Sequence, residues 1–142
     1  MADISTNKAR TIIRKGLAKA RELELRPMGI IVVDAGGHVI AFEREDDAPP
    51  GRFTIAQGKA YGAVMLRMAG TAQMARAEAQ AYFMAAANGA FGGKMIPLPG
   101  GVLVLDKRGK VVGAVGVTGD TSDNDAICAV FGIEAANLSA EI

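Results

Sequence analysis

The sequence predicts one α+β domain, in which a largely antiparallel sheet is covered by helices. Two pairs of short, mostly β-branched runs, each around a turn that ends in glycine, are typical of hairpins. Two helical stretches separate the hairpins, and a further helix is predicted at each end of the chain. No strand–helix–strand unit of the parallel kind and no internal repeat is visible. The length suits a single domain that spans residues 1–142.

The first predicted element is an amphipathic helix over residues 4–23. Its apolar residues recur at spacings near three and four, and basic side chains cover much of the remaining surface. We expect the helix to end near Leu25, because Arg26 precedes Pro27 and is pushed out of the helical region. A basic helix on a membrane surface is the alternative. An ordinary packing helix with a solvated basic face is favoured.

The first predicted hairpin joins the run Met28–Val33 to the alternating run Val39–Arg44 through the turn Asp34–Gly37. His38 is the only histidine of the chain and lies at this turn. A lone histidine in a turn is more often solvated than a ligand or a general base. The loop Glu45–Arg52 follows, with the densest charge and breaker content of the chain, and such loops often carry binding residues.

Two helices are predicted next, over Thr54–Met68 and Thr71–Ala87, with Gly70 between them. The first places Gly58 and Gly62 four residues apart, which permits close approach to a sheet or to a partner subunit. The second is rich in alanine. Its predicted apolar face consists of Met74, Ala77, Ala81, Tyr82 and Ala85.

The second predicted hairpin has strands over Val102–Leu105 and Val111–Val117 around the turn Asp106–Gly109. A Gly/Pro-rich connection, Asn88–Gly101, precedes it and could fold over a pocket. Three glycines, at 113, 116 and 119, suggest that another backbone or a ligand approaches the second strand closely. Their spacing is G-x-x-G-x-x-G rather than G-x-G-x-x-G, which disfavours a dinucleotide loop.

A final helix is predicted from Ser122 to about Leu138. Ser122 and Asp125 fit the N-cap and N3 positions of a capping box. The carboxylates at 120, 123 and 125 are interpreted as helix caps rather than as ligands of a hard cation, because the calcium-loop pattern is missing. Cys128 lies within an apolar helix face and is interpreted as a buried small hydrophobe, not as a reactive thiolate.

Composition excludes several functional classes. The formal net charge is +1, and no basic patch is interleaved with aromatic residues, so nucleic-acid binding is not expected. A single cysteine excludes an intramolecular disulfide framework and a Cys-rich zinc site, and no metal site is expected. No secretory signal and no run as long as a membrane span is visible, so the expected location is the cytoplasm. Ser-His-Asp and Cys-His hydrolysis is disfavoured, because any such arrangement would have to use the lone histidine.

A candidate binding site surrounds the Pro/Gly loop between the first hairpin and the next helix. Arg44, Arg52 and Lys59 could bind a carboxylate there, with bidentate geometry from arginine. Glu43 or Glu45 could accept a proton beside them. The alternative is a surface network of salt bridges that contributes little energy. The other residues predicted to bind the ligand or to complete the pocket are Asp46, Gly100, Gly101, Thr118 and Gly119.

These segments together resemble the GlcG/HbpS-like family, often described as haem-binding or haem-degrading, whose domain also forms the C-terminal part of PduO-type cobalamin adenosyltransferases. The matching pieces are IIVVDAGGHVIAFEREDDA, IAQGKAYGA and PGGVLVLDKRGKVVGAVGVTGDTSDNDAICAVFG. The family's R-x-D-G-A element is similar to Arg44–Ala48, and its A-x-x-K-A element to Ala56–Ala60. The resemblance covers nearly the whole chain. It implies a profilin-like domain, with an antiparallel sheet of about five strands flanked by helices, and homo-oligomers that include octamers.

The resemblance leaves two functions open, because haem-binding relatives use a histidine in or near the first helix and residues 4–26 contain none. Tyr61, Tyr82 or a methionine could take its place as a ligand of haem iron. Other relatives accompany catabolic genes, where an acidic metabolite is the natural ligand. In the homo-oligomers that the resemblance implies, the Gly58/Gly62 face and the alanine-rich helix would be close-packed subunit interfaces.

The main hypothesis from the sequence is a cytoplasmic homo-oligomer that binds a small carboxylate metabolite without a cofactor. It would catalyse a proton transfer, a tautomerisation or a lactonisation. Arg44 and Lys59 would hold the carboxylate, and Glu43 or Glu45 would move the proton. Two alternatives stay open: a haem- or tetrapyrrole-binding protein, and a structural or regulatory oligomer whose loops serve only subunit packing.

Overall fold

The computed structural model describes residues 3–142, which form five helices and five strands. The helices are α1 (Thr6–Glu22), α2 (Arg52–Leu66), α3 (Gly70–Ala79), α4 (Ala81–Ala90) and α5 (Ser122–Ala135). The strands are β1 (Gly29–Asp34), β2 (Val39–Arg44), β3 (Gly101–Leu105), β4 (Val111–Thr118) and β5 (Ser139–Glu141). They form one sheet of order β2-β1-β4-β3-β5 in which every pair is antiparallel. The predicted α+β class and the five strands implied by the family resemblance are confirmed.

The sheet is the middle layer of three. Successive side chains of a strand point to opposite faces. Along β1, Ile30 and Val32 therefore join the core that also contains α1 and α5, whereas Ile31 and Val33 join the core that contains α2. The apolar stripe of α1 packs in the first of these cores, which makes a membrane-surface role for that stripe unnecessary. Among residues 3–142, the helices lack the combination of length and apolar character that crossing a bilayer requires.

The glycines of β4 are explained by the approach of other backbone segments. A Cβ added at Gly116 would lie 2.1 Å from the carbonyl oxygen of Ala56. Its register partner on β3 is Gly101, where an added Cβ would lie 2.4 Å from the carbonyl oxygen of Lys59. The absence of side chains at Gly116 and Gly101 therefore allows α2 to lie directly against the sheet, and we call this pair the glycine bed. Of the two possibilities that the glycine spacing left open, the structure shows a neighbouring backbone at these positions.

The second of the two helices predicted between the hairpins, Thr71–Ala87, is not continuous. It breaks at Gln80 (φ −140°, ψ 64°) into α3 and α4. High helix propensity predicts that an alanine-rich segment is helical, but tertiary packing decides where the helix changes direction. The break orients α4 so that Met84 is buried (5% exposed), whereas Tyr82 of the predicted apolar face is 73% exposed. The remaining residues of that predicted face, Met74, Ala77, Ala81 and Ala85, are half-buried or exposed.

The predictions for the last helix need two corrections. Its N-cap is Thr121 rather than Ser122, since the Thr121 hydroxyl accepts a hydrogen bond from the Asn124 N–H (3.2 Å). The helix ends at Ala135 rather than near Leu138, because Asn137 adopts a left-handed conformation (φ 61°) and the Leu138 N–H donates back to the carbonyl of Ile133 (3.3 Å). The residues that follow form β5 beside β3.

The Gly58/Gly62 face of α2 is covered by this chain's own residues rather than free for a partner subunit. A Cβ at Gly58 would lie 2.8 Å from the carbonyl oxygen of Lys94, and one at Gly62 would lie 3.0 Å from Oε1 of Gln73. The connection between α4 and β3 therefore folds back over α2, whereas the sequence predicts for the segment Asn88–Gly101 only that it could fold over a pocket.

The two hairpin turns have the same construction, which is a structural repeat that the sequence analysis missed. In the first turn, Oδ1 of Asp34 accepts hydrogen bonds from the backbone N–H groups two and four residues later (both 2.9 Å). In the second turn, Oδ1 of Asp106 accepts the two equivalent bonds (both 2.9 Å). Gly37 (φ 85°) and Gly109 (φ 82°) take the left-handed position of each turn. A bulge adjoins each turn at the matching place in the strands.

The two turn aspartates predict a loss of stability in acid. Hydrogen bonds from backbone N–H groups, chiefly the N–H of Lys110, lower the pKa of Asp106. Burial raises the pKa of Asp34, but the hydrogen bonds from the N–H groups of His38 and Gly36 outweigh the effect of burial, so the pKa of Asp34 is also lowered. Carboxylates with a lowered folded-state pKa contribute stability above about pH 4, which disappears as the pH falls through the lowered values. Urea denaturation between pH 6 and 2 should show this decrease, and the decrease should be smaller in Asp106→Asn. A constant difference between that variant and the wild type across this range would contradict the prediction.

Candidate functional site

A cavity of about 580 Å³ lies between the first hairpin turn, α2 and the segment 93–96. We call it the turn cavity. Pockets for small molecules and cofactors generally occupy about 300–1,000 Å³, so the volume is that of a ligand site. Its lining residues are Gly36, Gly37, His38, Thr54, Gln57, Gly58, Tyr61, Met65, Gly93, Lys94 and Ile96.

One face of α2 forms the wall of the turn cavity. Thr54, Gly58, Tyr61 and Met65 follow one another at spacings of three or four, which places them on one side of a helix. The other side of α2, with Ala56, Lys59, Ala60 and Ala63, is buried toward the sheet. Because α2 is pressed against the glycine bed, the position of its cavity face is set by the sheet.

The turn residue Gly37 lies against the α2 wall of the cavity. It has a left-handed conformation (φ 85°) that disfavours larger residues. A Cβ at this position would lie 3.1 Å from Cε of Met65 and 3.3 Å from Cδ2 of Tyr61. Glycine therefore satisfies the turn and also lets the turn pack closely against the two α2 side chains.

His38 is held by the carboxylate of Asp34. Its Nδ1 lies 3.1 and 3.3 Å from the two carboxylate oxygens. An ionised carboxylate only accepts hydrogen bonds, so Nδ1 is the donor in this contact and Nε2 is the ring nitrogen that does not contact Asp34. The ring is largely exposed and lines both the turn cavity and a second cleft of about 460 Å³ that also involves Asp34. The prediction of a solvated histidine is confirmed, since the side chain is 82% exposed, and the ring also has a fixed partner in Asp34.

The turn cavity brings together three types of side chain that bind haem iron in proteins. These are the imidazole of His38, the phenol of Tyr61 and the thioether of Met65. The Tyr61 ring packs edge-on against Phe91, with 6.2 Å between the ring centroids. Lys94 places its ammonium 5.7 Å from the Tyr61 centroid, so the rim of the cavity carries a positive charge suited to a carboxylate.

The predicted carboxylate site is divided between two places. Arg44, Glu43, Glu45 and Asp46 line a shallower cleft of about 480 Å³ with Arg21 and Asp47. Four carboxylates face two arginines in this cleft, which disfavours an anionic ligand. Glu45 is already engaged: one oxygen lies 3.1 Å from Nε of Arg21, and the other accepts the backbone N–H of Met28 (3.0 Å). Glu45 therefore stabilises the backbone at the start of β1.

Lys59 lies in the interior, away from that cleft. Its side chain is 3% exposed, and Nζ donates to the carbonyl of Val117 (2.9 Å) and to Oδ2 of Asp125 (3.1 Å). Burial lowers the pKa of Lys59 and raises the pKa of Asp125, while their mutual attraction opposes both shifts. Asp125 is therefore the partner of Lys59 rather than a member of a capping box. The ammonium is neutralised within the fold and is not free for a substrate.

The other predicted ligand-binding residues surround this buried pair. Gly100 (φ 108°) places its backbone so close to Lys59 that an added Cβ would lie 3.0 Å from Nζ. Gly101 and Thr118 are buried in the sheet. Nη2 of Arg52 donates to the carbonyl of Gly119 (3.4 Å), and Nε of Arg52 is buried without a hydrogen-bond partner. These residues form a packed interior rather than the wall of an open pocket.

The acidic stretch before α5 is also used internally. Oδ1 of Asp120 accepts the backbone N–H of Arg26 (3.2 Å), and its other oxygen accepts the side-chain amide of Asn124 (2.8 Å). These hydrogen bonds, chiefly the one from Asn124, lower the pKa of Asp120. Burial raises the pKa of the Cys128 thiol to about 11, in agreement with an inert cysteine.

Comparison with known proteins agrees with the fold. The family model described as "Haem degrading protein HbpS-like" matches residues 4–134. A curated relative from Citrobacter freundii, an uncharacterised 15.0 kDa protein encoded in the dhaT-dhaS intergenic region, is 35% identical over 132 residues. The match covers 91% of this chain and 89% of that protein.

Several crystal structures share the fold. A PduOC:haem complex is 24% identical with a TM-score of 0.85, and the match covers 98% of each chain. The Klebsiella pneumoniae protein ORFY is 24% identical with a TM-score of 0.83, over 96% of this chain and 92% of that one. A double mutant of Streptomyces reticuli HbpS is 24% identical with a TM-score of 0.79, over 94% of this chain and 87% of that one. Identities at this level show a common architecture.

Proposed function

Since this chain belongs to the HbpS-like family, we propose that it binds haem, in the turn cavity. The observation that carries the proposal is the convergence of an imidazole, a phenol and a thioether on one cavity, in His38, Tyr61 and Met65. The haem complex of PduOC, which has the same fold, and the description of the family model support it. The missing histidine of the first helix is then no obstacle, because the ligand comes from the turn or from α2.

The residues of the turn cavity fit a haem group. The volume suits a cofactor-sized ligand. Lys94 at the rim would pair with a propionate carboxylate. A bound haem would supply one-electron and oxygen chemistry at its iron. This chain would hold the haem through its iron and through a propionate carboxylate, between the turn and α2.

The alternative of a cofactor-free enzyme that acts on a small carboxylate stays a prediction, and two observations count against it. Lys59 is neutralised by Asp125 in the interior, and the cleft that contains Arg44 holds more carboxylates than arginines. An acidic ligand, a cytoplasmic location and a homo-oligomer such as an octamer likewise stay predictions from the sequence.

Titration of the purified protein with haemin tests the proposal. We expect a shifted Soret band that saturates at one haem per chain. Thr54→Trp, at an exposed cavity-lining position of α2, should fill the cavity and weaken binding at least about tenfold, which is about 1.4 kcal/mol. Tyr82→Phe is the matched control, because Tyr82 is 73% exposed and does not line the cavity. A wild type without a saturating shift, or a Thr54→Trp variant that binds as tightly as the wild type, would refute it.

A further inference from the structure

We propose that His38 ligates the iron through Nε2 and that Asp34 is its positioning residue. This inference rests on the proposed function and specifies which residue of the turn cavity acts as ligand. Metal-binding histidines almost always donate their other ring N–H to a carboxylate, a carbonyl or water, which fixes the tautomer and makes the imidazole a stronger ligand. The contacts of 3.1 and 3.3 Å between Nδ1 and the Asp34 carboxylate have this arrangement.

The second hairpin shows what such a turn requires without a ligand. Asp106 accepts its two backbone hydrogen bonds at the same distances as Asp34, and the backbone bonds that close the two turns have the same lengths, 2.9 and 3.0 Å. The position of His38 is taken there by Lys110. The turn therefore needs an aspartate at its start but no histidine at its end. The imidazole and its contact with the carboxylate are additions of the first turn.

A second difference between the turns leads to the same conclusion. The position of Gly36 in the first turn is taken by Arg108 in the second, so the turn backbone tolerates a side chain at this place. In the first turn, a Cβ at Gly36 would lie 2.8 Å from Cε1 and 3.0 Å from Nδ1 of His38. Glycine at 36 therefore makes room for the ring rather than for the turn. Gly36 and His38 are explained together by an imidazole whose Cε1 and Nδ1 lie close to the turn backbone.

The other donors of the cavity have no comparable support. Tyr61 contacts Phe91 and the ammonium of Lys94, and no hydrogen bond among residues 3–142 orients its hydroxyl. Met65 belongs to the same wall. A side chain that is already oriented loses less entropy on binding than a free one. His38 is thus the best-prepared ligand of the three.

The test uses Asp34→Asn with Asp106→Asn as its matched control. Asparagine keeps an acceptor for the two backbone N–H groups of either turn and removes the charge. We expect Asp34→Asn to weaken haem binding by about ten- to a hundredfold. It should also lower the iron–imidazole stretching frequency in the Raman spectrum of the ferrous form and raise the midpoint potential. Asp106→Asn should leave the haem affinity, the stretching frequency and the midpoint potential unchanged. His38→Gln should abolish the iron–imidazole band.

The outcomes separate this inference from the proposed function. If the wild type binds no haem, the proposed function fails and the inference fails with it. If the wild type binds haem and His38→Gln keeps its affinity and spectrum while Tyr61→Phe loses them, haem binding stands and the assignment of the ligand is overturned. If Asp34→Asn behaves like Asp106→Asn although His38→Gln abolishes the iron–imidazole band, the positioning role of Asp34 is overturned.

Discussion

Replacement of Lys59 by methionine is expected to lower the free energy of unfolding by about 3–5 kcal/mol. Methionine has a similar length, so the loss comes from the charge and not from a cavity. The variant leaves the carboxylate of Asp125, which is 1% exposed, without its cation in the interior. It also leaves the carbonyl of Val117 without its donor. Urea denaturation near neutral pH measures the effect.

Two controls show whether the buried charge causes this loss. Lys59→Met combined with Asp125→Leu removes both charges and should recover most of the stability, because a buried pair can often be replaced by apolar residues without loss. Lys110→Met breaks an exposed ion pair with Asp3 (3.6 Å) and should cost less than about 1 kcal/mol. A loss of that small size for Lys59→Met would contradict the prediction and would mean that water reaches Asp125.

Gly116→Ala is expected to destabilise the protein by about 3 kcal/mol or more, at the upper end of what overpacking costs. The added Cβ would meet the carbonyl oxygen of Ala56 at 2.1 Å. This atom belongs to the backbone of α2 and cannot rotate away, so the helix would have to rise from the sheet. The midpoint of thermal unfolding is the measurement.

Gly89→Ala is the matched control for this substitution. Nothing lies within 4 Å of a Cβ at Gly89, which belongs to α4 and is exposed. The same chemical change should therefore stabilise the protein there by about 0.5–1 kcal/mol. Gly101→Ala should destabilise like Gly116→Ala, and the double variant should lose less than the sum, because both added groups lift the same helix. Equal effects at 89 and 116 would disprove the close approach of α2 to the sheet.

Local patterns in the sequence predict most of the fold. The strands β1, β2, β3 and β4 are visible because β-branched runs flank two turns with glycine at the left-handed position. The break at Gln80 was not predictable, because alanine favours helix on both sides of it and only packing against the rest of the domain fixes the break. The strand β5 is three residues long, too short for a periodic signal.

The candidate site was harder to predict, because it depends on the directions of side chains. Arg44 and Lys59 are close in sequence, but Arg44 lines an exposed cleft while Lys59 points inward to a partner 66 residues away. No local pattern identifies that partner. Two signals for the turn cavity were present in the sequence. One is the spacing of Thr54, Tyr61 and Met65 along one face of a helix. The other is an aspartate four residues before the only histidine.

The two turns lie at the same end of the sheet, because β1 and β3 are both antiparallel to β4 and so run in the same direction. One motif thus occurs twice in the fold, once with the minimum that folding demands and once with a glycine and a histidine added. The plain copy serves as a reference within the molecule, against which any substitution in the other can be compared. The glycine and the histidine can be introduced into the second turn by Arg108→Gly with Lys110→His. That variant would separate the contribution of the turn to haem binding from the contribution of the cavity.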